Sequence, residues 1–282
     1  MTHALRDARH ENARGADAGG ADTSDGRAEA RTPSTVPTPM PFTPGQPLAS
    51  TWLSRACVIV PALDAERTLP SVIQSLRASL PFLADAILVI DDGSRDRTAS
   101  VAARLGCEVL SHGKNRGKGA ALRAGLSTAL ARGCEVALTV DADGQHPGED
   151  ACRVMLASDD PEALVLGIRD LDRAGAPKKN RFSNGISNMF LSRFAGRALR
   201  DTQCGLRRYP VRRTLALGAR GEGYDFEGEI LLRAAWAGVT IVEEPIQVLY
   251  PEDRVTHFHV VRDPFRIVRT VVAALGERGL RG

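Results

Sequence analysis

The chain has 282 residues, 43% of them apolar and 25% charged, with 37 Lys and Arg against 34 Asp and Glu. These proportions describe an ordinary globular protein and exclude collagen, a coiled coil and full disorder. A formal net charge of +3 demands no nucleic acid, and no RNP, finger or helix-turn-helix signature accompanies it, so no nucleic-acid partner is expected.

Residues 1–54 stand apart. The first half is Ala, Gly, Arg and Asp without apolar period, and six prolines fall between Pro33 and Pro47. This predicts a disordered tail over 1–54 and a folded domain over 55–282. The tail carries 5 Arg against 6 Asp and Glu, so it is not a basic arm. It has no apolar segment of secretory-signal type, and no later run approaches the roughly 18 apolar residues of a spanning helix. A cytoplasmic location is expected.

From Arg55 the pattern becomes strand, loop, helix, repeated. Cys57–Val60 reads as a buried strand ending at Pro61, followed by a helix over 69–80 with Thr68 as N-cap and Pro81 as its stop. Strand 86–90, helix 96–105, strand 108–110, helix 118–132 closed by Gly133 and strand 136–140 continue the alternation. Strand 163–168, helices near 180–196 and 225–237, strand 239–248 and a helix from about Pro264 complete it. Such βαβ units imply an α/β fold with a parallel sheet and helices on both faces. Cys57, Cys107, Cys134, Cys152 and Cys204 are odd in number and lack C-x-x-C spacing, so they read as reduced thiols.

Ligands of open parallel sheets bind beyond the carboxyl ends of the strands, and two acidic clusters fall at such ends. Asp91-Asp92-Gly93-Ser94 follows the second strand. It reads either as a turn with an N-cap, or as a pair of carboxylates of which one contacts a base or ribose. Asp141-Ala142-Asp143-Gly144-Gln145-His146-Pro147 follows the fourth strand. In extended backbone Asp141, Asp143 and Gln145 share a face and offer three hard oxygens, the outline of a Mg²⁺ or Mn²⁺ site whose shell is completed by water and a diphosphate. An EF-hand fails here, since His146 and Cys152 stand where Gly and Glu are needed. A solvated helix start at Pro147 accounts for one Asp but poorly for two and a Gln. Between the clusters, His112-Gly-Lys-Asn-Arg-Gly-Lys-Gly119 is no Walker A loop. Its Lys114, Arg116 and Lys118 at a helix start suit an anion, and equally a flexible solvated loop.

Together these motifs resemble glycosyltransferase family 2 on the GT-A fold, and within it the polyprenol-phosphate sugar transferases. Val60-Pro61-Ala62, Asp91-Asp-Gly-Ser94, Asn115-Arg-Gly-Lys-Gly119, Asp141-Ala-Asp-Gly-Gln-His-Pro147, Gly167-Ile-Arg169, Asp201-Thr-Gln-Cys-Gly-Leu-Arg207 and Tyr224-Asp-Phe-Glu227 with Val242-Glu-Glu-Pro-Ile246 follow in the family's order over 56–270. The resemblance implies a Rossmann-like, mostly parallel sheet and an inverting hexosyl transfer from a nucleotide diphosphate sugar. It implies Asp141, Asp143 and Gln145 as metal ligands, and Pro61, the Ile90 main chain, Asp91, Asp92, Lys118 and Ala142 around the donor. Arg169, Arg181 and Arg207 would face phosphates or acceptor, and Asp143, Arg254 and Glu227 would carry catalysis. The chain departs from the family at Leu63-Asp64-Ala65, where relatives carry Tyr-Asn-Glu. Around Arg181 it keeps the acceptor-phosphate pattern only in part, with Asn184 where Ser is common.

The chemistry favours a particular acceptor. An alcohol needs a general base, for which Asp201 and Glu227 are the candidates, whereas a phosphate monoester is already anionic at neutral pH. Arg169, Arg181, Arg207 and Arg208 fit a polyprenyl-phosphate acceptor at the inner face of the cell membrane. Arg262, Arg266 and Arg269 recur beside a stripe of Phe265, Val268, Val272 and Leu275, a helix that can lie on anionic lipid or pack on the core with a solvated face. Transfer to a lipid hydroxyl or small glycan, and non-catalytic binding of a nucleotide sugar, are the alternatives.

Overall fold

The computed structural model describes residues 51–172, 175–176, 178–249 and 262–279. A 3-10 turn, Thr51–Arg55, leads into strand β1, Ala56–Ala62. Trp52 and Leu53 of that turn are buried in the core, so the folded body starts at least three residues before the boundary expected at 55. Trp52 donates from Nε1 to the Asp159 carbonyl at 3.1 Å.

The elements then run α1 (Leu69–Ser79), β2 (Ile87–Asp91), α2 (Thr98–Arg104), β3 (Glu108–Ser111), α3 (Lys118–Ala131), β4 (Val136–Thr139), α4 (Gly148–Leu156) and β5 (Leu164–Arg169). They continue with α5 (Lys178–Ala195), β6 (Arg207–Pro210), α6 (Val211–Ala216), α7 (Asp225–Trp236), β7 (Ile241–Ile246) and α8 (Arg262–Gly279). The seven strands form one sheet in the order β3-β2-β1-β4-β6-β5-β7. Six of them point the same way, and β6 alone runs antiparallel, to both β4 and β5.

Alternation along the strands feeds two cores, one on each sheet face, as period-2 geometry requires. Val58, Val60, Val89 and Leu138 meet α1, α2 and α4 on one face. Cys57, Ile59, Leu88, Ile90 and Ala137 meet α3, α7 and α8 on the other. All five cysteines are free thiols.

One local expectation is corrected. Thr68 does not cap α1. Its hydroxyl donates to the Ala142 carbonyl at 2.6 Å and so ties the helix start to the acidic loop after β4. A helix does begin next to Pro147, so that feature coexists with the acidic cluster. Among the described side chains of α8, Val271 and Ala274 are buried, Leu275 packs against the core, and Val272 is exposed. Arg233 of α7 pairs with Glu277 at 2.8 Å, and Thr270 donates to Asp225 at 2.9 Å, docking α8 on α7. Arg269 is exposed, and the side chains of Arg262, Phe265, Arg266 and Val268 lie outside the described residues.

Because β6 alone is reversed, its first residues lie at the same sheet edge as the last residues of β4 and β5. Thr139 pairs with Arg207 across the strands, and its hydroxyl donates to the Gly205 carbonyl at 2.8 Å. The loops after β1, β2, β4 and β5, and the one before β6, therefore open on one edge.

Candidate active site

Pro61 and Ile90 are register partners near the ends of β1 and β2. Ile90 is fully buried, so only its main chain could meet a ligand. Asp91 ends β2, and its Oδ1 accepts from the Ser94 N–H at 3.1 Å, a local turn of the kind its sequence allows.

Asp92 behaves differently from the expected nucleoside contact. Its Oδ1 lies 2.7 Å from His112 Nδ1 and accepts from the Arg116 N–H at 3.0 Å, and its Oδ2 accepts from the Gly117 N–H at 2.8 Å. The carboxylate is buried and spent on the glycine-rich loop. It holds that loop in place. Gly93 shows why no side chain could stand beside it: φ is +76°, and a Cβ would enter the backbone of Lys114 and Asn115.

The loop delivers Lys118 to the first turn of α3. Its Nζ lies 2.7 and 3.0 Å from the two oxygens of Asp141 and 3.2 Å from Glu227 Oε2, over the Tyr224 ring at 5.4 Å. Burial opposes the ammonium charge, but the Asp141 and Glu227 carboxylates outweigh it and raise the Lys118 pKa. Glu227, in the first turn of α7, is buried, and its Oε1 has no hydrogen-bond partner among the described residues.

Past β4 the backbone turns instead of extending, with Gly144 at φ +73° and the Gln145 N–H donating to Asp143 Oδ1 at 3.0 Å. Strand alternation therefore does not govern Asp141, Asp143 and Gln145, and it is the charge of Asp141 on Asp143 that marks those two carboxylates as neighbours. Ala142 lies buried between the two carboxylates with its carbonyl held by Thr68. Burial would push the Asp141 carboxyl up, but Lys118, with His146 and Arg169 beyond it, holds it below the usual range. Burial and the charge of Asp141 push Asp143 up to about 6. His146 is buried with Nδ1 lacking a hydrogen-bond partner among the described residues, and burial takes its pKa down to about 4.

Arg169 ends β5 and grips Asp201 with two parallel bonds, Nε to Oδ2 at 2.7 Å and Nη2 to Oδ1 at 2.9 Å. Burial would raise the Asp201 carboxyl, but Arg169 outweighs it and brings it below the usual range. Asp201 is thus a poor base. Arg207 is fully buried, donating to the carbonyls of Cys204, Glu227 and Thr202 at 2.7–2.8 Å. Arg208 is buried too, donating to the carbonyls of Met155, Ser158 and Asp160 and facing the Trp52 ring at 5.0 Å. Both guanidiniums are committed to these carbonyls. Arg181 pairs with Asp172 at 2.5 Å on the surface, and Arg254 lies outside the described residues.

This edge, with paired acids beyond β2 and β4 and a basic helix start between them, matches a known family. The profile of Glycosyl transferase family 2 covers residues 57–211. The chain is a family 2 glycosyltransferase.

The transferase is 30% identical over 204 residues to the polyprenol monophosphomannose synthase of Mycolicibacterium smegmatis, covering 68% of this chain and 76% of that protein. It is 28% identical over 219 residues to the UDP-N-acetylglucosamine–dolichyl-phosphate N-acetylglucosaminyltransferase of Methanococcus voltae, covering 69% of this chain and 86% of that protein. Its fold resembles the glucosyl-3-phosphoglycerate synthase of Mycobacterium tuberculosis crystallised with Mn²⁺, UDP-glucose and phosphoglyceric acid, with a TM-score of 0.60 and 21% identity over 78% of this chain and 79% of that one. The fold of the transferase is GT-A.

Among the described residues no three His, Cys, Asp or Glu side chains converge as a metal cage. Asp141 and Asp143 of the transferase fit a divalent cation all the same. Burial and the neighbouring Asp141 charge raise Asp143, so the two carboxylates lie close together, with no ion pair made by Asp143 among the described residues. Mg²⁺-type ions bind through one or two carboxylates and substrate phosphates rather than through a cage.

Proposed function

We propose that this glycosyltransferase moves one hexose, with inversion, from a nucleotide diphosphate sugar to a polyprenyl phosphate at the cytoplasmic face of the membrane. The observation that carries the reading is the state of the two candidate bases. Asp201 is neutralised by Arg169, and Glu227 faces the Lys118 ammonium at 3.2 Å. An alcohol acceptor would need one of them free to take a proton, whereas a phosphate monoester, with a second pKa near ~6, arrives charged.

Mg²⁺ or Mn²⁺ held by Asp141 and Asp143, with Gln145 at hand, would neutralise the charge that grows on the departing diphosphate. Lys118 contributes a second cation on the same side. Pro61 and the Ile90 main chain line the approach to the nucleoside, while Asp92 holds the loop that carries Lys118. Arg254, in the segment after β7, completes the proposed set as a donor-phosphate arginine. Residues 1–50 stay outside the catalytic domain in this reading.

The surface of α5 supports a lipid-borne acceptor. Phe182, Ile186 and Met189 recur at helical spacing and are 72%, 42% and 70% exposed, while Ser183, Asn184 and Ser187 on the same helix are buried. Along 182–189 apolar residues face outward and polar ones inward, the reverse of a water-facing helix, while Phe190, Leu191 and Phe194 further on pack against the core. Lys178 and Arg193 are exposed on the same helix and suit anionic headgroups.

The test is nucleoside diphosphate release by the full chain from UDP- and GDP-hexoses with Mg²⁺, offered polyprenyl phosphate, polyprenol and phosphoglycerate in turn. Release is expected with polyprenyl phosphate alone. Release driven by polyprenol or phosphoglycerate, and not by polyprenyl phosphate, would overturn the acceptor.

A further inference from the structure

The Lys118 ammonium occupies both oxygens of Asp141, at 2.7 and 3.0 Å, and those oxygens are the ones a divalent cation would use. A carboxylate so engaged has its nearest lone pairs directed at the ammonium, and a dication brought to the same group meets a unit positive charge a few ångströms away. The two cations compete for one carboxylate.

The displaced ammonium has somewhere to go. Glu227 Oε2 is already within 3.2 Å of Nζ, and Glu227 Oε1 is buried without a partner among the described residues. A buried carboxylate oxygen left unpaired is costly unless a donor reaches it in some state of the molecule. The segment leading into α3 is held by the Arg116 and Gly117 N–H groups donating to Asp92, and the Lys118 head, flanked by the Tyr224 ring, already touches both acids, so it can shift between them by side-chain rotation.

We propose that Lys118 is the resident counter-cation of Asp141 in the donor-free enzyme. It keeps the Asp141–Asp143 pair from taking a free divalent cation, and it moves onto Glu227 and the incoming diphosphate when donor and metal enter together. Lys118 is then a positioning residue for the metal, and Glu227 is its second seat. Metal and nucleotide would bind with strong positive coupling, since each removes an obstacle for the other. The inference rests on the reading of Asp141 and Asp143 as the metal-holding pair.

The experiment is Mn²⁺ binding to the full chain, followed by the electron paramagnetic resonance of free Mn²⁺, with and without UDP or GDP. Wild type is expected to bind Mn²⁺ weakly alone and at least about tenfold more tightly with a nucleoside diphosphate. Lys118→Met and Lys118→Gln are expected to bind Mn²⁺ alone at least about tenfold more tightly than wild type, because a unit charge a few ångströms from the ion is gone. Lys118→Arg, which keeps the charge, should stay as weak as wild type, and a merely structural lysine would not produce that split. Circular dichroism identifies any variant that does not fold, and tighter binding by either neutral variant supports the proposal. Unchanged or weaker Mn²⁺ binding by the folded neutral variants, with wild type still binding Mn²⁺ alongside nucleotide, would overturn the role of Lys118 alone. No Mn²⁺ binding by any form even with nucleotide would overturn the metal-holding pair, and the proposal with it.

Discussion

Replacing Asp92 separates a nucleoside contact from a loop anchor. Its carboxylate is 4% exposed and receives two backbone N–H bonds, at 3.0 and 2.8 Å, beside His112 at 2.7 Å. Hydrogen bonds to a charged group contribute about 1.5–3 kcal/mol each and are not additive, so Asp92→Ala should lose about 3–5 kcal/mol. For a domain of this size that is a fall in Tm of about 6–20 °C. Asp92→Asn keeps one acceptor oxygen and should lose about half as much. The assay is thermal unfolding without nucleotide, followed by donor titration at a temperature where both variants are folded. A structural anchor lowers Tm before any donor is present. An unchanged Tm with a raised donor KM would refute the anchor and restore Asp92 as a contact to the nucleoside.

Asp201→Asn should cost about 3–5 kcal/mol at pH 7, because it takes the anion out of a buried, doubly hydrogen-bonded ion pair. The native Asp201 carboxyl lies below its unfolded value: burial raises it, but Arg169 more than compensates. Its stabilisation is therefore present above the ordinary carboxylate pKa of about 4 and is lost as pH falls through the lower folded value, so the gap between wild type and variant, read from urea unfolding, should narrow below about pH 4. A gap that widens in acid would contradict this. Arg207→Met should lower Tm, since three carbonyls lose their donor, and leave the acceptor KM of the folded enzyme unchanged; the reverse pair of results would make Arg207 an acceptor contact. Phe182→Asp with Met189→Asp should leave unfolding within about 0.5 kcal/mol, as exposed positions allow, and reduce co-sedimentation with anionic vesicles. Undiminished sedimentation would remove α5 as the lipid-facing surface.

The alternation of strand and helix was readable because each strand is a short apolar run closed by Pro, Gly or Asp, and the sheet needs both of its faces covered. β6 was not, because Arg207-Arg208-Tyr209-Pro210 carries two charges and a proline where a buried strand is expected. Arg208 is tolerated there because the carbonyls of Met155, Ser158 and Asp160, far away in sequence, satisfy it, and Arg207 because those of Thr202 and Cys204 just upstream and of Glu227 do. The acidic loop after β4 was recognised by residue type, but its geometry was misjudged: Gly144 at positive φ makes a turn where extension was assumed. The pairings of Asp92 with His112 and Arg169 with Asp201 join residues 20 and 32 positions apart. Charge pattern alone does not say which acids are spent on partners and which face a ligand.

The most direct measurement is the mass of the lipid recovered after the full chain is incubated with a UDP- or GDP-hexose, Mg²⁺ and polyprenyl phosphate. The account predicts polyprenyl phosphate heavier by one hexosyl unit, formed by wild type with Mg²⁺ and absent with chelator or with Asp143→Ala. Lipid of unchanged mass while donor is consumed on another acceptor, or the same product with chelator present, would contradict it.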